Sequence, residues 1–414
     1  MDNLNLAKRD RDLIWHPFTQ MQTAPEAIPI VRGEMSHLFT ADGQKLFDGI
    51  SSWWVNLHGH NHPHIAARIA EQAKSLDHVL FAGFTHQPAI ELAERLLPLL
   101  PGEMARIFYS DNGSTAVETA LKMALQFFFN RDEKTPRKKI LCFNGSYHGD
   151  TFGAMAAAGK NRYNRPFWSH FFEVESIDPP VKGKEEFSIR QLEAILAGGE
   201  QKIAAFIFEP LLLGAGGMIS YPLTGLKKLV NRCKQAGILT IADEVMTGFG
   251  RTGSLFAATG LKPDIICLAK GITGGFLPLA ATACTREIYN AFLSDNPSKT
   301  LLHGHSYTAN PICCAAANAS LDLLLKSDSA RARITAAQQV FVEKWRGNKL
   351  LKRCERVGTI LILEYLKPAP KTAFFVERGV VLRPMQNVLY LMPPYCATAD
   401  ELAHVHKTIE ETLV

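Results

Sequence analysis

Residues 238–245 read Ile-Leu-Thr-Ile-Ala-Asp-Glu-Val, a mainly apolar run that ends in two acids. A short run that is apolar on both faces is typical of a strand covered by helices on both sides of its sheet. Asp243 and Glu244 then lie at the carboxyl end of that strand. Open α/β sheets bind their ligands at this end, so the segment indicates both a fold class and the place of a functional site.

Similar runs recur along the chain and alternate with helical segments. The other predicted strands cover residues 106–109, 139–143, 204–208, 265–268 and 279–284. A strong helical pattern over residues 115–130 separates the first two of them. Alternation of short buried strands with helices predicts an α/β fold whose main sheet is mostly parallel.

Two patterns near the N-terminus add local structure. Residues 36–39 and 45–47 flank Asp42-Gly43, which favours a hairpin turn between two strands. A helix is predicted to begin at Pro63, because proline is tolerated in the first turn of a helix.

The pattern changes after about residue 325. A polar helical segment over residues 330–349 is followed by strand-like runs at 359–363, 380–383 and 388–392, and then by an amphipathic helix. We therefore predict a large domain over residues 56–325. A smaller α+β domain is predicted to combine residues 326–414 with the N-terminal residues 1–55.

Composition excludes several classes of protein. The chain has 414 residues, 21% of them charged, and a net charge of +5, which gives no indication of a nucleic-acid partner. Residues 1–12 lack the apolar core of a secretory signal, and no apolar stretch is long enough to cross a membrane. The eight cysteines have no metal-binding spacing and favour reduced thiols, so we expect a cytoplasmic protein.

A lysine at a second strand end suggests the chemistry. Residues 264–271 read Asp-Ile-Ile-Cys-Leu-Ala-Lys-Gly and place Lys270 directly after a buried run. Such a lysine can form a structural ion pair. A pyridoxal phosphate site, however, needs a lysine for the Schiff base and an acid for the pyridinium nitrogen. Lys270 and Asp243 supply these two groups, each at the end of a strand.

A phosphate cradle is predicted at residues 110–115, Ser-Asp-Asn-Gly-Ser-Thr, between a strand and a strong helix. The N–H groups at a helix N-terminus bind phosphate. Gly113 permits close approach of the backbone, and Ser114 adds a hydroxyl. An ordinary capped turn has the same appearance, so this segment gains its meaning from Lys270 and Asp243.

Three other sequence patterns bear on cofactor or metal binding. Tyr147 lies in a loop after the strand at 139–143 and offers a ring that can stack on a planar cofactor, although a loop tyrosine often only packs. Residues 248–253 match G-x-G-x-x-G but lack the helix and acid of a dinucleotide site. The alternating histidines of residues 58–64 are interrupted by Pro63 and lack a carboxylate nearby, so we predict no metal site.

Residues 243–253, Asp-Glu-Val-Met-Thr-Gly-Phe-Gly-Arg-Thr-Gly, with Lys270 after them, resemble the class-III aminotransferases of fold type I. The resemblance extends over essentially the whole chain. It implies that pyridoxal phosphate is the cofactor, that Lys270 attaches to it and that Asp243 bonds its pyridine nitrogen. It further implies that Gly113 and Ser114 hold the phosphate.

The same resemblance implies roles for further residues. Tyr147 stacks near the cofactor ring and contacts substrate, and Trp53 lines the substrate pocket. Residues 303–306, His-Gly-His-Ser, resemble a segment contributed by the partner subunit of a homodimer. In that segment His305 and Ser306 reach the phosphate, and Gly304 lies near substrate.

Three segments indicate a particular branch of this family. They are residues 15–19, Trp-His-Pro-Phe-Thr; residues 51–54, Ser-Ser-Trp-Trp; and residues 390–395, Tyr-Leu-Met-Pro-Pro-Tyr. They resemble the branch of the family that acts in biotin synthesis. This implies transfer of an amino group from S-adenosylmethionine to 8-amino-7-oxononanoate, giving 7,8-diaminononanoate. Arg383 then binds the carboxylate of the oxononanoate.

The sequence features that bear on the identity of the amine donor do not all agree. Trp15, Phe18, Trp53 and Trp54 offer aromatic surfaces for a sulfonium ion and an adenine. The chain departs from the branch at Phe18, where a tyrosine is usual, at Leu213, where a glutamine is usual, and at His305, which replaces a proline and resembles lysine-using relatives. Lysine as donor stays open, as does another ω-aminotransferase acting on ornithine, aminobutyrate or a diamine.

Overall fold

The computed structural model describes residues 6–134, 137–199 and 202–414. Its helices are α1 (Leu6–Leu13), α2 (Ser51–Trp54), α3 (Pro63–Ser75), α4 (Gln87–Leu96), α5 (Gly113–Arg131), α6 (Phe152–Ala157), α7 (Glu185–Ala197), α8 (Leu223–Gln235), α9 (Arg286–Asn290), α10 (Pro311–Leu324), α11 (Asp328–Trp345), α12 (Thr372–Val376) and α13 (Ala399–Glu410). Short 3₁₀ helices cover Leu97–Leu99, Arg165–His170, Lys270–Thr273 and Pro297–Lys299.

The strands are β1 (Ile30–Glu34), β2 (His37–Thr40), β3 (Lys45–Asp48), β4 (Met104–Ser110), β5 (Lys139–Phe143), β6 (Val174–Ile177), β7 (Ile203–Phe208), β8 (Leu212–Leu213), β9 (Ile219–Ser220), β10 (Leu239–Asp243), β11 (Ile265–Leu268), β12 (Ala280–Thr285), β13 (Leu351–Val357), β14 (Ile360–Tyr365), β15 (Val380–Val381) and β16 (Val388–Leu391).

Within the described ranges, seven strands form the main sheet in the order β4-β12-β11-β10-β7-β5-β6. Strands β11, β10, β7, β5 and β6 are parallel, whereas β12 is antiparallel to both of its neighbours. The predicted α/β fold with a mainly parallel sheet is confirmed. Since the parallel strands share one direction, the ends of β7, β10 and β11 meet at one edge of the sheet.

Burial explains why these short runs become strands. Every residue of β7 and β10 is buried, since helices cover both faces of the sheet. On one face α5 packs Ala116 and Ala120 against the strands, and the Thr282 hydroxyl donates to the Ala116 carbonyl at 2.9 Å. On the other face α8 contributes Leu226 and Leu229.

Three smaller sheets lie outside the main one in the described part of the chain, the smallest being the β8–β9 pair. Strands β13, β14 and β16 form an antiparallel sheet, and β1, β2, β3 and β15 form a four-stranded sheet. In the latter, β2 and β3 make the predicted hairpin, and β15 pairs in parallel with β3. The N-terminal and C-terminal parts of the chain therefore share a sheet. The domain boundaries themselves stay a prediction, and residues 1–5 lie outside the described residues.

Several element ends differ from the prediction. Helix α3 begins at Pro63 as predicted, and α5 begins at Gly113, two residues earlier than predicted. The strand predicted over residues 380–383 is only Val380–Val381. None of the helices within the described ranges combines the length and apolarity needed to span a membrane.

Candidate active site

A cavity of about 1010 Å³ opens at the carboxyl edge of the main sheet. Its walls come from the ends of β7, β10 and β11, from the start of α5, from α2 and from residues 383–386. The predicted site residues that line it are Trp53, Gly113, Ser114, Tyr147, Asp243, Lys270 and Arg383. The structure thus gathers, in one cleft, residues that span most of the chain.

Asp243 is the last residue of β10 and is only 4% exposed. Its Oδ2 atom lies 2.7 Å from Nδ1 of the buried His148, and its Oδ1 atom accepts from the Val245 N–H at 3.1 Å. His148 Nε2 is buried and has no hydrogen-bond partner within the described part of the chain. The carboxylate is therefore held in a fixed orientation at the cleft, with one flank fastened to an imidazole.

Glu209 also lines the cleft, although it is not among the residues predicted from the sequence. It follows β7 directly, and its two carboxylate oxygens accept from the N–H groups of Tyr147, at 3.1 Å, and Gly214, at 2.9 Å. Burial raises the pKa of this carboxyl to about 7. An acid that directly follows a buried apolar run was the signal that identified Asp243, and it applies equally to Glu209.

Lys270 follows β11 and has φ of 50°, a left-handed conformation that is uncommon for residues other than glycine. Its Nζ atom lies over the Trp54 ring, 4.5 Å from the ring centre. Burial lowers the pKa of this amine to about 8, although the charges of Asp243 and Glu209 act in the opposite direction. About a tenth of the amine is therefore uncharged at pH 7, far more than of an ordinary lysine, and the uncharged form is the one that acts as a nucleophile or proton acceptor.

The start of α5 forms the predicted cradle. Asn112 caps the helix by a reciprocal capping box with Thr115, and the N–H groups of the first turn have no partner inside a helix. A Cβ atom on Gly113 would lie 2.6 Å from Val245 Cγ1, so the close approach requires glycine. The Ser114 hydroxyl accepts from the Asp150 N–H at 2.8 Å and ties the cradle to the loop after Tyr147.

Tyr147 is half-buried and lines the same cleft. Its hydroxyl donates to Asp150 Oδ2 at 2.7 Å, while its N–H donates to Glu209. Burial, and after it the bond to Asp150, raises the pKa of the phenol well above its usual range. Tyr147 therefore stays protonated at physiological pH, and its ring is held at both ends.

The opposite wall is the left-handed turn α2. Its residues Ser51, Ser52, Trp53 and Trp54 have φ of 49°, 45°, 68° and 75°, a conformation that costs about 1–2 kcal/mol per residue. The Arg383 guanidinium lies 4.1 Å from the centre of the Trp53 ring, and Phe18 meets the same ring edge-on at 6.2 Å. The rings of Trp53 and Phe18 and the Arg383 cation thus face the cleft.

Gly304, His305 and Ser306 do not line this cleft. Their segment lies along the side of α5, where Lys122 donates to the Leu302 carbonyl at 3.3 Å and Gln126 to the Thr300 carbonyl at 2.7 Å. Trp15 also lies away from the cleft and is 87% exposed. Within the single chain Trp15 offers no surface to this pocket, and its part in binding the amine donor stays a prediction.

The glycine-rich segment and the alternating histidines make structural contacts. Arg251 is buried and donates to the carbonyls of Pro393 and Asn56 at 2.8 and 2.9 Å, so residues 248–253 join distant loops. The histidines bond to separate partners: His60 to Asp48, and His64 to Asp322, both at 2.8 Å.

Comparison with known proteins agrees with this geometry. Residues 19–413 match the family model described as aminotransferase class-III. The chain is 48% identical to adenosylmethionine-8-amino-7-oxononanoate aminotransferase of Synechococcus elongatus, over 97% of this chain and 98% of that one.

Solved structures give the same result. The crystal structure of adenosylmethionine-8-amino-7-oxononanoate aminotransferase from Methanocaldococcus jannaschii is 33% identical, with a TM-score of 0.93 and 100% coverage of both chains. An (S)-enantioselective omega-transaminase from Thermomicrobium roseum is 29% identical, with a TM-score of 0.92 over 100% of this chain and 98% of that one. This chain belongs to the class-III aminotransferases.

Proposed function

We propose that this chain transfers the amino group of S-adenosylmethionine to the ketone of 8-amino-7-oxononanoate, with pyridoxal phosphate as its cofactor. The proposal rests on one arrangement: the amine of Lys270 and the carboxylate of Asp243 face a single cleft whose far wall is aromatic. The relatives from Synechococcus and Methanocaldococcus carry the name of this reaction.

The residues fit the cofactor at each of its functional groups. Lys270 Nζ would hold its aldehyde carbon, and Asp243 would accept a hydrogen bond from its protonated ring nitrogen. The amides of Gly113 and Ser114 would bind the phosphate, in a cradle that a Cβ atom on Gly113 would disturb. Bound in this way, pyridoxal phosphate supplies an electron sink for a carbanion on the substrate carbon.

The protein's own groups determine how protons move. Because the pKa of Lys270 is lowered to about 8, its Nζ can accept a proton and return it at neutral pH. His148 holds the orientation of the Asp243 carboxylate. Glu209 fixes the backbone of Tyr147, and that ring would cover one face of the cofactor.

The aromatic wall favours the proposed substrates. Trp53, Trp54 and Phe18 present faces that suit a sulfonium ion and an adenine ring. Arg383 has no carboxylate within ion-pair distance in the described ranges, and it lines the same cleft. Its guanidinium is therefore placed to bind the carboxylate of the oxononanoate.

We further propose a homodimer in which each chain completes its partner's site. Gly304, His305 and Ser306 lie outside their own chain's cleft, and Gly304 and Ser306 are exposed. They are therefore accessible to a phosphate bound in the partner subunit. Mixing inactive Lys270→Ala chains with inactive Ser306 variants should then restore part of the activity. No recovery after proven subunit exchange would contradict the shared site.

A donor screen tests the reaction. The purified protein, loaded with pyridoxal phosphate, is mixed with S-adenosylmethionine, lysine, ornithine, aminobutyrate or a diamine in turn, and the absorbance of the cofactor's aldehyde form is followed. We expect rapid loss of that absorbance with S-adenosylmethionine, and 7,8-diaminononanoate after addition of the ketone. Conversion with lysine alone would favour the lysine-using alternative. A response to diamines without turnover of the oxononanoate would indicate another ω-aminotransferase.

A further inference from the structure

We infer that Asp48, together with Ser52 and His60, is a positioning group that holds the left-handed turn α2 and so places the aromatic wall of the cleft. The inference rests on the proposed use of this cleft for substrate. Asp48 ends β3, is fully buried and does not line the cavity. Its effect on substrate must therefore act through the turn.

The turn needs an external restraint. Four consecutive residues other than glycine adopt positive φ in α2, which unrestrained L-residues avoid because Cβ crowds the backbone. Only the geometry around the turn can select this conformation over ordinary alternatives. The Ser52 hydroxyl donates to Asp48 Oδ2 at 2.7 Å, and the Ser51 hydroxyl donates to the Met392 carbonyl at 2.7 Å.

His60 fixes the other side of the Asp48 carboxylate. The Gly59 N–H donates to Asn56 Oδ1 at 2.7 Å, so the amide nitrogen of Asn56 faces His60 Nδ1 at 3.1 Å. An amide nitrogen can only donate, which makes Nδ1 the acceptor and Nε2 the donor. His60 Nε2 therefore donates to Asp48 Oδ2 at 2.8 Å.

The carboxylate stays charged in this environment. Burial acts to raise the pKa of Asp48, but the hydrogen bonds from His60 and Ser52 outweigh it and lower the pKa below its usual value. Hydrogen bonds to a charged acceptor are stronger than those between neutral groups. The Ser52 bond is thus well suited to restrain a strained turn.

Through Trp53 and Trp54, the restraint affects the contacts made by Lys270, Tyr390 and Arg383. Trp54 carries the Lys270 amine over its ring at 4.5 Å, and it also packs edge-on against Tyr390 at 5.9 Å. Trp53 carries the Arg383 guanidinium at 4.1 Å. If the turn relaxed to an ordinary conformation, both indoles would leave these positions together. We therefore assign Asp48, Ser52 and His60 to substrate positioning.

A set of Ser52 variants tests this, because Ser52 is exposed and its substitution leaves the buried core intact. Ser52→Ala and Ser52→Gly both remove the bond to Asp48. Ser52→Asn keeps a donor, and asparagine tolerates positive φ. Ser220→Ala is the matched control, since its hydroxyl also donates to a carboxylate, Glu355, at 2.7 Å, away from the cleft.

Two readouts are combined: the KM and kcat of the loaded enzyme for both substrates, and ¹⁹F NMR of the protein labelled with 5-fluorotryptophan. We expect Ser52→Ala and Ser52→Gly to raise KM about tenfold, a binding loss of about 1.4 kcal/mol, and to change kcat less. The resonances of Trp53 and Trp54 should move, while those of Trp168 and Trp345 stay. Ser52→Asn should restore both properties, and Ser220→Ala should resemble the wild type.

Unchanged Trp53 and Trp54 resonances in Ser52→Ala would overturn the inference, as would equal movement of all the tryptophan resonances. Asp48→Asn and His60→Gln should repeat the Ser52→Ala pattern. If they fail to fold, the Ser52 series decides alone. A wild-type protein that does not convert the ketone would contradict the proposed function, whereas the NMR result would still decide whether Asp48 holds the turn.

Discussion

The two walls of the cleft are built in different ways. On one wall, Glu209, Asp243 and Lys270 lie at the carboxyl ends of β7, β10 and β11, which are fully buried strands of the main sheet. On the other, Trp53 and Phe18 come from segments with positive φ and are partly exposed. A buried sheet edge holds charged groups rigidly, whereas the second wall depends on a restrained turn and on contacts between side chains.

The difference extends to the chemistry of each wall. Burial lowers the pKa of Lys270 to about 8 and raises that of Glu209 to about 7. Both groups on the sheet wall therefore have a pKa close to neutral pH. The turn wall supplies aromatic faces and a guanidinium. We therefore expect changes on the sheet wall to affect the chemical step and changes on the turn wall to affect substrate binding.

The largest effect should follow from Lys270→Ala. A positioned acid–base group contributes about 10²–10⁴-fold to a rate, and this variant also loses the point of covalent attachment, so we expect kcat to fall at least about 10³-fold. Lys344→Ala, which breaks a surface ion pair with Glu410, is the control and should keep wild-type kcat. Borohydride reduction of the loaded enzyme should label Lys270, and a label on another lysine would refute the assignment.

A pH titration of Lys270 reactivity tests the electrostatics of the sheet wall without a measurement of catalysis. At pH 7, the uncharged fraction of an amine with a pKa of about 8 is about 200- to 300-fold larger than that of an ordinary lysine. Pulse labelling of the protein without added cofactor, read by mass spectrometry, should show Lys270 labelling rise with pH to a midpoint near 8. Asp243 acts to raise this pKa, so the midpoint should fall in Asp243→Asn. An unshifted or higher midpoint would contradict the electrostatic account.

The sheet wall was the more predictable of the two. Apolar runs ending in Asp243 and Lys270 could be recognised because parallel strands are buried on both faces and leave polar residues only at their ends. The antiparallel direction of β12 could not be predicted, since pairing direction leaves no mark on a run that is buried throughout. Strand β6, Val-Glu-Ser-Ile at the edge of the sheet, was missed because its polar residues interrupt the apolar pattern.

The turn wall was identified by resemblance alone. No local pattern predicts four left-handed residues in Ser-Ser-Trp-Trp, because the conformation is imposed by distant partners such as Asp48 and the Met392 carbonyl. Strand β13 was also missed, since pairs of charged residues separate its apolar residues Leu351, Cys354 and Val357, and its backbone pairs with the distant β14. Such elements depend on tertiary contacts rather than on local preference.

An intermediate effect should follow from Arg383→Ala. A hydrogen bond to a charged group contributes about 1.5–3 kcal/mol, so kcat/KM for the oxononanoate should fall about 10–100-fold. The reaction with the amine donor alone should change little, because that half does not use the ketone's carboxylate. Arg356→Ala, whose guanidinium bonds Gln339 in α11, is the control. Equal losses in both half-reactions would indicate that Arg383 mainly supports the Trp53 ring.

The smallest effect should follow from Phe18→Ala. Phe18 meets Trp53 edge-on at 6.2 Å and lines the cleft, and such a contact contributes about 0.5–1.5 kcal/mol. We therefore expect KM for S-adenosylmethionine to rise about two- to tenfold, with kcat and the KM for the ketone little changed. Trp15→Ala, in the same segment but outside the cleft, should leave the donor KM unchanged. A larger loss in Trp15→Ala than in Phe18→Ala would mean that this segment acts on the partner's cleft, and the turn wall would then belong to two chains rather than one.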